Sequence, residues 1–162
     1  MIDRREFMLA LGATGLLAAC QSGPPKPSTV SVNVSGGAGM NPGPGGGDRP
    51  VTVLVMRLRS TGKFNSADYF ALQGDAGSAL GADLIGSDAI SVGPGKVAAK
   101  TITVEPEATA LGFVALIREP GGRNWRTTKS VSPGSTFTVN AKLGSGGISA
   151  KAARQTMVPC GE

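Results

Sequence analysis

A stretch with two apolar faces limits the folds open to this chain more than any other feature. In residues 51–59, Val51, Val53 and Val55 fall on one side of an extended chain, and Leu54, Met56 and Leu58 fall on the other. Side chains alternate across a strand with a period of two, so this strand has to be covered on both sides. Residues 30–35 show the simpler pattern, with Val30, Val32 and Val34 alternating with Ser31, Asn33 and Ser35, as in a strand with one buried face. Further strands are predicted over residues 97–105, 110–117, 125–131, 136–143 and 147–153. Turn signals at Pro94-Gly95, Pro120-Gly121-Gly122 and Pro133-Gly134 separate them. About seven short strands with regular turns imply an all-β, two-sheet β-sandwich.

One helix interrupts the pattern. Asn65 is a suitable N-cap, Asp68 sits near the positive helix end, and Phe64 and Tyr69 occupy the positions of a hydrophobic staple. The spacing predicts a helix over residues 66–72 that stops at Gly74 and presents Tyr69, Phe70 and Leu72 to the second face of strand 51–59, with Phe70 in the core. A second helical turn is expected near residues 78–84.

The amino terminus has the three parts of a secretory leader. Charged residues Asp3, Arg4, Arg5 and Glu6 precede an apolar run over residues 7–17, and small residues Ala18 and Ala19 stand before Cys20. The run is too short to span a bilayer. Small residues followed directly by Cys resemble the lipobox at which bacteria acylate the thiol and cleave before it, so Cys20 is the expected lipidation site. Several acyl chains, at about 0.8 kcal/mol per buried CH₂, give lasting membrane attachment where one chain does not. Gln21 stands where Asp would signal inner-membrane retention, which points to the outer membrane. The Arg4-Arg5 pair also resembles a twin-arginine signal, so the sequence leaves both export routes open.

Without residues 1–19 the 162-residue chain keeps 143, enough for one domain. The expected division is a tether over residues 20–28, a sandwich over 29–153 and a tail over 154–162. Pro24, Pro25 and Pro27 keep the tether extended, with a reach of about 25 Å. The leader's charges cancel, so the formal net charge of +5 belongs to the exported part. A modest basic excess in an exported protein suits acidic protein surfaces or anionic envelope polymers rather than nucleic acid. If Cys20 is acylated, Cys160 has no partner in its own chain.

The chain contains no His, which removes the commonest general base and the commonest metal ligand. Asp83 and Asp88 are too weak a pair to argue catalysis or a Ca²⁺ site. Gly93-Pro94-Gly95-Lys96 lacks the earlier Gly of a phosphate loop and has Val97 where Ser or Thr would hold Mg²⁺. No enzyme activity, cofactor, metal or small-molecule substrate is expected. Two segments stand out as binding candidates. Residues 36–50 carry seven Gly, and their fifteen residues are far more than adjacent hairpin strands need. This composition suggests a flexible loop that adds little to folding. The second candidate is Trp125, flanked by Arg123, Arg126 and Lys129, which reads as a strand edge or as a partner-facing patch.

Taken in order, these elements resemble the TssJ family, the outer-membrane lipoproteins of the type VI secretion system. The resemblance rests on Cys20, on Asn41-Pro42 and Arg49-Pro50 flanking the loop, and on the strand Val51 through Leu58. It continues through Phe64-Asn65-Ser66-Ala67-Asp68-Tyr69-Phe70, Leu80-Gly81-Ala82-Asp83-Leu84, Pro94-Gly95, Leu111-Gly112-Phe113-Val114-Ala115 and Trp125-Arg126. It implies a transthyretin-like sandwich with one or two short added helices, lipid-anchored on the periplasmic face of the outer membrane. It also implies a partner, the periplasmic C-terminal domain of the large inner-membrane component of the same machine. The family's contact loop falls here on residues 36–50, with Met40, Asn41, Pro42, Asp48 and Arg49 as partner-binding candidates and Arg123, Trp125 and Arg126 as secondary ones. The reading from another class is a periplasmic carbohydrate- or peptidoglycan-binding module that uses Trp125 as its platform.

Overall fold

Eight strands form two four-stranded sheets in a computed structural model that describes residues 23–154. The leader, Cys20 and Cys160 lie outside the described residues. The strands are β1 (Ser28–Gly36), β2 (Val51–Leu58), β3 (Leu84–Val92), β4 (Val97–Val104), β5 (Ala110–Leu116), β6 (Arg126–Ser130), β7 (Thr136–Gly144) and β8 (Gly147–Arg154). One sheet has the order β4-β1-β7-β8 and the other β3-β2-β5-β6. Neighbouring strands are antiparallel except β1 and β7, which run parallel.

Two expectations change here. First, β1 and β2 are not neighbours, because β1 lies between β4 and β7 while β2 lies in the other sheet. The connection over residues 36–50 therefore crosses the sandwich and is not an overlong hairpin. Second, β3 was not expected as a strand. Its first half carries Gly86 and Asp88, which break the apolar alternation, and only Ile90 and Val92 are buried. Gly86 leaves room for the guanidinium of Arg57, which lies over it from the neighbouring strand.

The two faces of β2 separate two apolar clusters. Val51, Val53 and Val55 join Val30, Val32 and Val34 of β1, Leu111 and Phe113 of β5, and Val139 and Leu143 of β7 between the sheets. On the outer side of the second sheet, Met56, Leu58 and Val114 are covered by Phe64, Leu72 and Leu80. Each such fully buried side chain is worth about 1.5–3 kcal/mol relative to exposure, so both clusters contribute substantially to the fold.

The cover on that outer face comprises α1 (Gly62–Ser66), α2 (Tyr69–Leu80) and a single 3-10 turn (Gly81–Asp83). Asn65 lies inside α1 and is not an N-cap. Asp68 caps α2, its carboxylate accepting a hydrogen bond from the Ala71 amide at 2.9 Å. In the helix that starts there, Tyr69, Leu72 and Leu80 are the buried side chains, and Phe70 lies about 100° round the axis from Tyr69. Phe70 is consequently not in the core and is 74% exposed. The expected staple is absent for the same reason, since Phe64 and Tyr69 each pack inward from a different helix. Phe64 rests on Gly112 of β5, where a Cβ would come within 2.6 Å of its ring. Gly74 precedes a kink rather than a stop. Asp75 leaves the helical conformation there (φ −144°, ψ 80°) and recaps the second half by accepting from the Ser78 amide at 3.0 Å and the Ser78 hydroxyl at 2.6 Å.

Candidate partner-binding end

Strand direction sorts the connections between the two ends of the sandwich. The Pro-containing segment 23–27 enters β1 at Ser28, and the turns over residues 105–109 and 131–135 lie at this same end. Lys26 is fixed there, its carbonyl accepting from the Gly134 amide at 2.8 Å. The loop over residues 36–50 lies at the opposite end, together with the connections over residues 93–96, 117–125 and 145–146. Nine residues of β1 separate the ends, about 30 Å at strand rise.

The loop is built and not floppy. Met40 is fully buried in the main core, with its sulfur beside Gly36. Both carboxylate oxygens of Asp48 accept backbone amides, from Gly39 at 2.7 Å and from Asn41 at 3.1 Å. The Arg49 amide donates to the Asn41 carbonyl at 2.9 Å, and Pro42 pairs with Asp48 across a short ladder. The loop thus closes on itself as a miniature hairpin whose tip, residues 44–47, is exposed. Gly39 (φ 74°) and Gly46 (φ 85°) supply the left-handed backbone that this path needs.

The connection over residues 117–125 holds the loop from outside. The Arg123 guanidinium donates to the carbonyls of Gly39 at 2.8 Å and Met40 at 3.1 Å, and the Arg118 amide donates to Asn41 Oδ1 at 2.9 Å. Asn41 is only 8% exposed, and its amide group is engaged on both sides, Nδ2 reaching the Pro50 carbonyl at 3.5 Å. Among the expected contact residues, Met40 and Asn41 therefore offer almost no surface and instead set the loop's shape. Pro42 and Asp48 are half-buried, and Arg49 is exposed.

The secondary patch is divided. Arg123 belongs to the loop. Arg126 turns the other way and closes the carboxyl end of α1, donating to the carbonyls of Phe64 at 2.9 Å, Ala67 at 2.5 Å and Asn65. Trp125 is half-buried, edge-to-face with Tyr69 at 5.2 Å and 4.5 Å from the Arg126 guanidinium carbon. The Tyr69 hydroxyl donates to the Ile117 carbonyl at 2.7 Å, and burial raises its pKa against the opposing effect of that bond. Sequence reasoning did not find Arg118 as a partner of Asn41, because 77 residues separate them and the bond uses only backbone on the Arg118 side.

Acidic residues elsewhere serve the scaffold. Asp88 pairs with Arg57 and with Lys100 at 2.8 Å, and Arg57 Nε faces Glu105 at 3.0 Å. Burial alone would raise the Asp88 pKa, but Lys100 and Arg57 outweigh it and hold the carboxyl below its ordinary value. The Arg57–Glu105 contact is an ion pair without an aligned hydrogen bond. Among the described residues, no group of three or more carboxylate or thiol side chains gathers as a metal site would require.

Among the described residues the protein is thus a two-sheet sandwich with helices over one sheet and a braced, sheet-crossing loop at the end opposite the tether. The family model T6SS-SciN, described as type VI secretion lipoprotein, VasD, EvfM, TssJ, matches residues 28–146, and the chain belongs to this family. The crystal structure of the T6SS lipoprotein TssJ1 from Pseudomonas aeruginosa is similar at 28% identity and a TM-score of 0.71, covering 82% of this chain and all of that one. Serratia marcescens Lip, described as a membrane-bound component of the type VI secretion system, shares the fold at 23% identity and a TM-score of 0.68, over 76% of this chain and 96% of its own. The fold also recurs in chains of structures described as a type VI membrane complex (21% identity, TM-score 0.66) and as the T6SS protein TssM C-terminal domain from EAEC (21% identity, TM-score 0.60). Each of these covers 76% of this chain and 97% of the other. A comparison with curated proteins finds no match.

Proposed function

We propose that this type VI secretion lipoprotein is a non-enzymatic anchor, held by lipid at Cys20 on the periplasmic face of the outer membrane. Its loop end docks the periplasmic C-terminal domain of the large inner-membrane component. The observation that carries this reading is the polarity of the sandwich, with the tether entering at one end and the braced loop at the other. A chain attached through its amino terminus then directs the loop away from the membrane, towards a partner that comes from across the periplasm. Structural neighbours described as a type VI membrane complex and as the TssM C-terminal domain support that choice of partner. Pro42, Asp48, Arg49 and the 44–47 tip form the proposed contact, with Met40, Asn41 and Arg123 holding it in shape. The glycan-binding alternative is weakened by Trp125, whose ring is already engaged by Tyr69 and Arg126.

The test is fractionation together with co-purification from envelope extracts. The wild-type chain should sediment with the outer membrane and bring down the large inner-membrane component. Cys20→Ser should lose the membrane and stop secretion although the domain still folds. Retention of the wild type on a peptidoglycan column, without that partner in the eluate, would contradict the proposal.

A further inference from the structure

We infer that the loop end recognises its partner through an acidic protein surface, read by a pair of arginines that two different connections set on one residue. This rests on the docking role proposed above and specifies its chemistry. Asn41 is the shared support, its carbonyl accepting the Arg49 amide and its side-chain oxygen accepting the Arg118 amide, both at 2.9 Å. The two arginines therefore leave the surface from fixed points on the loop over residues 36–50 and on the connection over residues 117–125. Both are exposed, and among the described residues neither guanidinium has an ion-pair or hydrogen-bond partner. Arg49 lies over Gly43, where a Cβ would come within 2.6 Å of its Nε.

The charge around them is mainly positive. Lys96, Arg123 and Lys142 lie at the same end, against the two acids Asp48 and Glu119. Asp48 has already spent both oxygens on backbone amides. The acids Asp88, Glu105 and Glu107 lie elsewhere and are matched by Arg57, Lys100 and Arg59. The sandwich thus neutralises its acids along the β2–β3–β4 side and leaves guanidinium groups free at the loop end. Planar guanidinium groups suit bidentate pairing with carboxylates, and a mainly positive surface speeds encounter with a negative one. Lipid phosphate is disfavoured as the counterpart because this end points away from the tether.

The experiment uses the full chain in detergent and, as probe, the purified periplasmic C-terminal domain of the large inner-membrane component, with association followed at low and high salt. Arg49→Glu combined with Arg118→Glu should weaken binding about tenfold at low salt, mainly through slower association, and the difference should shrink as salt rises. Both side chains are exposed and unbonded, so the thermal midpoint should not move. Arg49→Lys with Arg118→Lys should keep the fast, salt-sensitive association, which depends on charge, while losing part of the affinity through faster dissociation, since an ammonium lacks the bidentate geometry. A photocrosslinker at Gly45 reports docking at the loop itself, and one at Glu119 reports whether the second connection takes part. Unchanged affinity and salt dependence in the charge-reversed chain, with crosslinking at Gly45 but not at Glu119, overturns this inference and leaves the docking role standing. Absence of wild-type binding overturns both.

Discussion

The 36–50 loop and the helical cover over residues 62–80 are the two largest departures from a plain sandwich, and they are held by opposite means. The cover is fixed by apolar burial, with Phe64, Leu72 and Leu80 packed with Met56, Leu58 and Val114 on the outer face of β2 and β5, and with Tyr69 buried against Trp125. The loop buries one large side chain, Met40, and otherwise depends on backbone groups answered by Asp48, Asn41 and Arg123. Burial spends a segment's side chains on the core. Polar bracing fixes the backbone and leaves the exposed tip free to meet another molecule. The cover therefore completes the fold, whereas the loop presents a surface.

Substitutions can break or sharpen this contrast. Phe64→Ala should cost the most, about 3–5 kcal/mol, because it empties the site against Gly112. Met40→Ala should cost about 2–5 kcal/mol, an unusual sensitivity for a glycine-rich loop, and chemical denaturation measures both. A Met40→Ala midpoint equal to wild type would return the loop to the flexible class. Asp48→Ala leaves two partly buried amides without acceptors and should cost about 1–3 kcal/mol while loosening the tip, which proteolysis near residues 44–47 would report.

Asp88 provides a reference outside both regions. Its folded pKa is depressed, so its contribution is complete above the unfolded value of about 3.9 and is lost as pH falls through the folded value. Asp88→Asn should lower stability at neutral pH by about 1–2 kcal/mol and flatten the acid limb of the stability profile. An acid limb as steep as that of wild type would show that other carboxylates dominate. Phe70→Ala should change stability by less than about 0.5 kcal/mol, since its ring is largely in water.

Much of the cover could be read from the sequence, because apolar periodicity reports burial directly. The two faces of β2 required a covering layer, and that layer is present. Its register could not be fixed, because Asn65 and Asp68 are equally good caps and only packing on the sheet selects the second. β3 escaped notice because Gly86 and Asp88 interrupt the local apolar pattern and instead face Arg57 on the neighbouring strand. The loop misled in a different way. Seven glycines describe how free an isolated segment is, whereas its order comes from Arg123, 83 residues away from Met40 along the chain. Only Asp48, close behind Asn41, carried a local hint of that bracing.

Native-state hydrogen exchange at the Gly39 and Asn41 amides tests most directly whether the loop end is preformed. Both amides are bound to the Asp48 carboxylate, so they should exchange far more slowly than the amides of the exposed tip and lose that protection in Asp48→Ala. Exchange of Gly39 and Asn41 at the rate of an unstructured peptide in the wild-type chain would contradict the account.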